Sequence, residues 1–200
     1  MIELGERLTR VASFVPNGSK VCDVGSDHAY LPVYLIQNDQ ISCAIAGEVV
    51  EGPFLSAKQT VRDYCMEDRI EVRLGDGLQI LSKEDEITAV TICGMGGELI
   101  SRILEAGYSG SHLNGRERLI LQPNVAEHFV REWLMNHSYQ IVEENHHFKK
   151  EGGHYYRNSL IYREKLDRIT EQTLEKELVL KNHSKVMYDP DLIPKEMIKQ

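Results

Sequence analysis

Long apolar runs are the first thing missing from this sequence. No stretch approaches the ~20 apolar residues of a membrane-spanning helix, and the amino terminus, MIELGERLTR, lacks the apolar core of a secretory signal. A cytoplasmic protein with no membrane partner is expected. Paired cysteines are missing too. The four present, Cys22, Cys43, Cys65 and Cys93, show no C-x-x-C spacing, which argues against zinc ligation and disulfides. Cys22 and Cys43 sit in apolar runs and read as small buried residues. Eight histidines include His146-His147 but no H-E-x-x-H, so no metal site is expected. Excess positive charge is absent as well. With 23 Lys and Arg against 31 Asp and Glu the net charge is −8, which argues against nucleic-acid binding by bulk electrostatics and leaves room for a local basic patch. What is there is ordinary: 200 residues, 42% hydrophobic and 27% charged, enough for one medium domain and a small appendage.

A further absence lies in the stretch around which the chain is organised, KVCDVGSDHAYLP at 20–32. It reads as a buried strand (Val21, Cys22, Val24), a turn at Gly25 and a helix with Pro32 in its first turn, the ligand-facing corner of an open α/β sheet. The second and third glycines of the dinucleotide fingerprint are lacking, because Ser26, Asp27 and His28 follow Gly25. Those glycines let a backbone close on a pyrophosphate. Two carboxylates, Asp23 and Asp27, bracket the turn instead. They would repel phosphate and suit a cationic ligand such as S-adenosylmethionine, with its ammonium and sulfonium groups. Standing alone, the stretch also reads as an Asp-rich turn capping a helix.

The rest of the chain follows an alternating pattern. Ile2, Leu4, Leu8, Val11, Ala12 and Val15 predict an amphipathic helix over 2–15, ended by Pro16-Asn17-Gly18-Ser19. A helix over 30–39 and a second strand within 42–50, ending at Glu48, come after the first turn. Glu48 lies 23 positions beyond Gly25, the spacing at which an acidic residue closes on a ribose diol; an exposed acidic strand end would look the same. Gly52-Pro53 opens a helix through Tyr64. Strand three, 70–74, runs into Gly75-Asp76-Gly77, which is either a plain Asp-Gly turn or a carboxylate for an exocyclic adenine amine. Strand four, 89–93, continues into Gly94-Met95-Gly96-Gly97, where small residues permit close approach of backbone to a ligand. Cys93, beside those glycines, is expected to be the one accessible thiol. A helix over 97–106 and a glycine-rich loop over 107–115 follow, the loop being either a lid or a passive surface turn. Strand five, 119–121, leads to Gln122-Pro123-Asn124. Asn124 reads as the cap of a helix over 125–137 that buries Phe129, Val130, Trp133 and Leu134. Strands at about 139–147 and 154–163 have too short a linker for a crossover helix, so they must form an antiparallel hairpin. From Lys165, apolar residues recur among charges as one long helix until Pro190 and Pro194 break the tail. The expected fold class is α/β: a class I, Rossmann-like methyltransferase domain over 1–163, seven-stranded and ending in an antiparallel hairpin, with a helical extension over 164–200.

DVGSDHAYLP at 23–32, AGEVVEGP at 46–53, GDGL at 75–78, ICGMGGELI at 92–100 and LQPN at 121–124 together resemble the bacterial tRNA adenine-N1 methyltransferases, the TrmK group, over about residues 1–163. The resemblance implies methyl transfer from S-adenosylmethionine to N1 of adenine 22 in tRNA. It also implies a Rossmann-like catalytic domain and a helical carboxyl-terminal domain that holds tRNA. Carried over by motif, Gly25, Asp27 and His28 face the methionyl end of the cofactor, and Asp23 supports the turn. Glu48 takes the ribose, Asp76 with Gly77 the adenine, and Cys93 and Gly94 lie near the methyl. Met95, Gly96, Gly97 and Gln122 stand on the substrate side, and Asp27 is the candidate base. Lys149 and Lys150 on the hairpin are candidate tRNA contacts; Arg7, Arg10, Arg116, Arg118, Arg157, Lys165 and Arg168 are further basic residues for such a patch. Where amino methyltransferases carry Asn/Asp-Pro-Pro-aromatic, this chain has CGMGG, which suits a base presented by its ring edge and therefore unpaired or flipped. The segment after Lys165 is shorter than the paired helices of the family. Two rival readings remain at this level. One is a class I methyltransferase acting on another RNA base, or on a small molecule or a protein, the last two being favoured by the net charge. The other is a non-catalytic binding module, which the run Asp27, Glu48 and Asp76 disfavours. A monomer is expected.

Overall fold

Alternation of side chains decides the central sheet. In β1 (Lys20–Val24), successive residues face opposite sides, and Val21, Cys22, Asp23 and Val24 are all buried, as in a strand covered on both faces. β2 (Cys43–Glu48), β4 (Ala89–Gly96) and β5 (Arg118–Val125) carry similar unbroken buried runs. The computed structural model describes residues 1–151 and 154–165, with side chains as far as residue 144. Adding β3 (Ile70–Leu74), β6 (Tyr139–Glu151) and β7 (His154–Lys165), the seven strands lie in the order β3-β2-β1-β4-β5-β7-β6. β1 to β5 pair in parallel, and β7 returns antiparallel to both β5 and β6.

Parallel neighbours need crossovers. These are α2 (Tyr30–Gln37), α3 (Glu51–Asp63) and α4 (Gly97–Ser109), with α1 (Glu6–Phe14) ahead of the sheet and α5 (Glu127–Asn136) leading to the hairpin. Two short 3-10 turns, Gly77–Ile80 and Lys83–Asp85, bridge β3 to β4 in place of a helix. The core has two layers. Val11, Leu35, Ile36, Ala57 and Val61 pack one face of the sheet through Val21, Ala44 and Ala89. Ile100, Leu104, Trp133 and Leu134 pack the other through Cys22, Ile45, Val90 and Ile92. A fully buried Leu such as Leu104 or Leu134 contributes about 2 kcal/mol by removal from water.

Several boundaries differ from the sequence reading, each for a local reason. The first helix starts at Glu6, because Ile2 is drawn into an extended lead whose N–H donates to Gln37 Oε1 at 2.8 Å. α4 runs on through Gly107, which is buried against Leu78; a Cβ there would lie 2.5 Å from Leu78 Cδ1. The glycine-rich loop therefore begins only at Gly110. β5 extends to Val125 and takes in Pro123, which sits opposite Met95 where the pairing with β4 is bulged and a missing N–H is tolerated. Asn124 is thus a strand residue and not a helix cap. The residue before α5 is Ala126, in the left-handed region at φ 56°. Phe129 is exposed rather than buried, while Val130, Trp133 and Leu134 are buried as expected; Cys43 is only half-buried. The long charged helix expected after Lys165 lies outside the described residues.

Candidate functional site

The strand order reverses between β1 and β4, and the carboxyl ends of β1, β2, β4 and β5 border the crevice this makes, the usual ligand position of an open α/β sheet. The turn after β1 is pinned to β2: the N–H groups of Gly25 and Ser26 donate to the Gly47 carbonyl at 2.9 and 3.2 Å. Gly25 has φ +69°, and a Cβ on it would lie 2.2 Å from Met95 Cε. Both the left-handed φ and the Met95 contact favour glycine at that point. The Met95 thioether rests directly on the turn.

Asp23 is buried at the end of β1. Its two carboxylate oxygens accept from Ser26 Oγ and Thr91 Oγ1, both at 2.6 Å. Burial pushes its carboxyl above the usual range, while those two hydroxyls and the positive charge of Arg7 pull it back. Glu48, buried at the end of β2, accepts the backbone N–H of Asp27 through Oε1. Its carboxyl is also raised, chiefly by burial, against the pull of that N–H and with a further push from the charges of Asp27 and Asp23. Asp27 itself stands exposed in the left-handed region, 3.8 Å from His28 Nε2, and the His28 ring stacks on Tyr30 at 5.1 Å between centroids. Gly75 N donates to the Glu48 carbonyl at 2.7 Å, which joins the ends of β2 and β3 and places Asp76 beside them. Beyond Asp76, a cavity of about 220 Å³ opens between the first 3-10 turn and α4, lined by Asp76, Gly77, Leu78, Leu99, Arg102 and Ile103. Arg73 secures that turn from behind, donating to the Ile80 carbonyl and to both oxygens of Asp85.

At the ends of β4 and β5 a polar clamp holds one peptide unit on each side. Gln122 Oε1 accepts from Gly94 N at 3.1 Å and from Arg7 Nη1 at 2.8 Å. Gln122 Nε2 donates to Asn124 Oδ1 at 3.0 Å, and Asn124 Nδ2 donates to the Gly94 carbonyl at 2.8 Å. Gly94, at φ +77° and exposed, is the tip of the glycine turn.

Three expected site residues are corrected here. Gln122 is fully buried, so it shapes the turn from behind and does not touch a substrate. The Cys93 thiol packs against the core on the α1–α2 face, and burial pushes it well above the usual thiol range; Cys65 is the exposed cysteine. Gly97 is buried, and the Ala126 carbonyl would lie 2.1 Å from a Cβ there, so its small size serves the packing of α4 on the β5–α5 connection. Asp23, Gly25, Asp27, Glu48, Met95 and Gly94 share one crevice; Asp76 and Gly77 adjoin it, and Gly96 precedes α4. Lys149 and Lys150 lie in β6, and their side chains fall outside the described set. Among the described residues no cluster of His, Cys, Asp and Glu is placed to hold a metal ion, and no helix is long and apolar enough to cross a membrane.

Thr91 and Asn124 entered no expectation about the site, and Arg7 was counted only as a surface cation. Thr91 had a signal: it is the polar residue inside an apolar strand, and in the parallel register it sits opposite Asp23. Arg7 and Asn124 had none, because the partners that bring them to the glycine turn, Gln122 for Arg7 and Gly94 for Asn124, are 115 and 30 residues away.

The crevice fits S-adenosylmethionine by the chemistry of its groups. Carboxylates able to accept from an ammonium and a ribose diol stand in the turn after β1, at Asp27, and at the end of β2, at Glu48, and Gly94 is exposed at the tip of its turn. A methyltransferase-domain family model matches residues 4–158. The chain is 50% identical over 143 residues to the tRNA (adenine(22)-N(1))-methyltransferase of Bacillus subtilis (strain 168), an alignment covering 72% of this chain and 59% of that protein. It thus spans about three fifths of the length of that relative. Among solved structures, the B. subtilis m1A22 tRNA methyltransferase TrmK superposes with TM-score 0.76 at 45% identity, over 85% of this chain and 70% of that one. A Streptococcus pneumoniae candidate tRNA (m1A22) methyltransferase in complex with S-adenosyl-L-methionine gives TM-score 0.74 at 40% identity, over 90% of each chain.

Proposed function

The chain belongs to the methyltransferase-domain family, in its TrmK group, and from that premise we propose that it methylates N1 of adenine 22 in tRNA with S-adenosylmethionine as cofactor. The observation that carries this reading is the joint placement of buried Asp23 and Glu48 with the clamped Gly94 turn around one crevice. The cofactor supplies an electrophilic methyl group on a sulfonium. Glu48 accepts hydrogen bonds from the ribose hydroxyls, Asp23 holds the Gly25 turn through Ser26, and Asp76 faces the adenine side. The adenine N1 of the substrate carries a free lone pair and needs no prior deprotonation, so the chain contributes orientation and exclusion of water. Clamping of both the N–H and the carbonyl of Gly94 gives a rigid rim for the incoming base. Asp27, exposed at the mouth, accepts the proton released from the exocyclic amine as charge leaves the ring. The tRNA is held by a basic surface that includes Lys149 and Lys150, and by the segment that follows Lys165. The protein works in the cytoplasm.

The test is incubation of unmodified tRNA with methyl-labelled cofactor, followed by nucleoside mapping. Label in 1-methyladenosine at position 22 is the expected result. Label in another base moves the target within RNA. Label absent from RNA but present in a small-molecule acceptor overturns the substrate assignment.

A further inference from the structure

Exposed apolar side chains collect where the crevice rim meets α4 and α5. Val125, Leu99 and Phe129 leave 64%, 41% and 38% of their surface open. One such residue is ordinary, whereas a group of them beside a ligand crevice marks a contact surface. Val125 pairs with Gly96 at the end of the β4–β5 ladder, and its Cγ2 would lie 3.9 Å from a Cβ there, so the patch is continuous with the glycine turn. The first turns of α4 and α5 meet at Gly97 and the Ala126 carbonyl. Phe129, one turn beyond Val125, has the His128 ring 4.3 Å away and forms a wall of an open groove of about 260 Å³ that Arg102 and Trp133 also line. Trp133 is fixed in that groove: its Nε1 donates to Glu105 Oε2 at 2.8 Å, and its ring stacks on His137 at 4.1 Å. Resting on the tRNA substrate proposed above, we infer that this patch, centred on Phe129, is the platform on which a base flanking the target adenine stacks. N1 lies on the Watson–Crick edge, so the target must leave its stack, and its neighbour then loses a stacking partner. An aromatic ring beside the crevice replaces that partner without reading sequence. Charge decides against phosphate as the occupant. Glu98, Glu105, Glu127 and Glu132 stand on these turns with Arg102, and Arg131 is already paired with Glu144. An uncharged base face tolerates that field, and a phosphate or an anionic headgroup is repelled by it.

The test is a double-substitution cycle between ring and base. Wild type, Phe129→Ala and Phe129→Trp are each titrated with unmodified tRNA and with two tRNAs that carry an abasic nucleotide immediately before or after the target adenine. Phe129→Ala should bind intact tRNA roughly five- to a hundredfold more weakly than wild type. With one of the two abasic tRNAs that difference should vanish, because the base that met the ring is gone. Phe129→Trp, which keeps an aromatic face, should bind intact tRNA as wild type does. Unchanged affinity of Phe129→Ala for S-adenosylmethionine in calorimetry certifies that its crevice is folded. Equal weakening with intact and both abasic tRNAs would overturn the inference, since the ring would then act on the RNA without touching a flanking base. Full tRNA affinity in Phe129→Ala would overturn it too; a wild-type dimer in sedimentation that this variant dissociates would then give the patch to a second copy of the chain. Wild type that binds no tRNA would bring down the proposed substrate, and this inference with it, whereas wild type that binds and methylates tRNA without the coupling removes the inference alone.

Discussion

Glu48 shows at the scale of one residue how a binding group is held at a cost to the fold. Its carboxyl is raised by burial, so the ionised form is disfavoured in the folded chain. A carboxyl with a raised folded pKa favours folding below its unfolded value, and that contribution is lost as pH rises through the folded value. Glu48→Gln keeps an acceptor for Asp27 N–H and removes the charge. It should therefore unfold at higher urea than wild type at about pH 7, with the gain fading as pH falls below about 4, where the carboxyl is protonated in both the folded and the unfolded chain. The same variant should bind S-adenosylmethionine more weakly by ~1–3 kcal/mol in titration calorimetry. Unchanged affinity would remove Glu48 from the ribose role. The cysteines give a second residue-scale expectation. Cys65 is exposed, whereas burial pushes the thiols of Cys22 and Cys93 up. Mass-mapped alkylation should label Cys65 first, with no protection by cofactor and no loss of activity.

Between residue and molecule stands the bridge from β3 to β4, two 3-10 turns where the other parallel crossovers have helices. Its anchor is the two-pronged pair of Arg73 with Asp85, at 2.7 and 2.8 Å, which also reaches the Ile80 carbonyl. The Arg73 guanidinium holds the Asp85 carboxyl down to about 2, below the ~4 of an unfolded aspartate. The sign is opposite to that of Glu48. Stability from this pair is complete above pH ~4 and is lost as pH falls towards about 2. Asp85→Asn should cost about 2 kcal/mol at neutral pH and make unfolding less sensitive to acid in that window. Denaturant unfolding at a series of pH values checks both. Because the bridge carries Asp76 and Gly77, cofactor affinity should fall in parallel.

For the whole molecule the question is how a chain of net charge −8 would dock the tRNA proposed as its substrate. Net charge is a sum, whereas docking follows the local field. With Lys149 and Lys150 on β6 as the proposed contacts, tRNA affinity should fall steeply with salt, the slope counting the phosphates engaged. Reversing both charges, Lys149→Glu with Lys150→Glu, should weaken tRNA binding in gel shifts and leave cofactor binding untouched. A salt-independent affinity, or full binding by the double variant, would place the RNA surface elsewhere.

The sequence by itself determined the succession of strands β1 to β5 with their crossovers and the places of the carboxylates at their ends. Strand alternation, the glycine turn and the spacing from Gly25 to Glu48 are properties of short stretches, and short stretches dictate local geometry. The hairpin of β6 and β7 was legible for the same reason, since a linker too short for a crossover leaves one topology. Only the tertiary structure decided which polar side chains face the ligand and which face inward. Gln122 and Asn124 looked like a site residue and a cap, yet the register of β5 on β4 turns both towards Gly94. Cys93 looked accessible beside its glycines until the packing of α1 and α2 set its thiol against the core. Arg7 reaches the crevice because α1 packs across the sheet end, bringing it to a residue 115 positions away. Such pairings depend on how elements far apart in the chain meet, and no local period or turn encodes that.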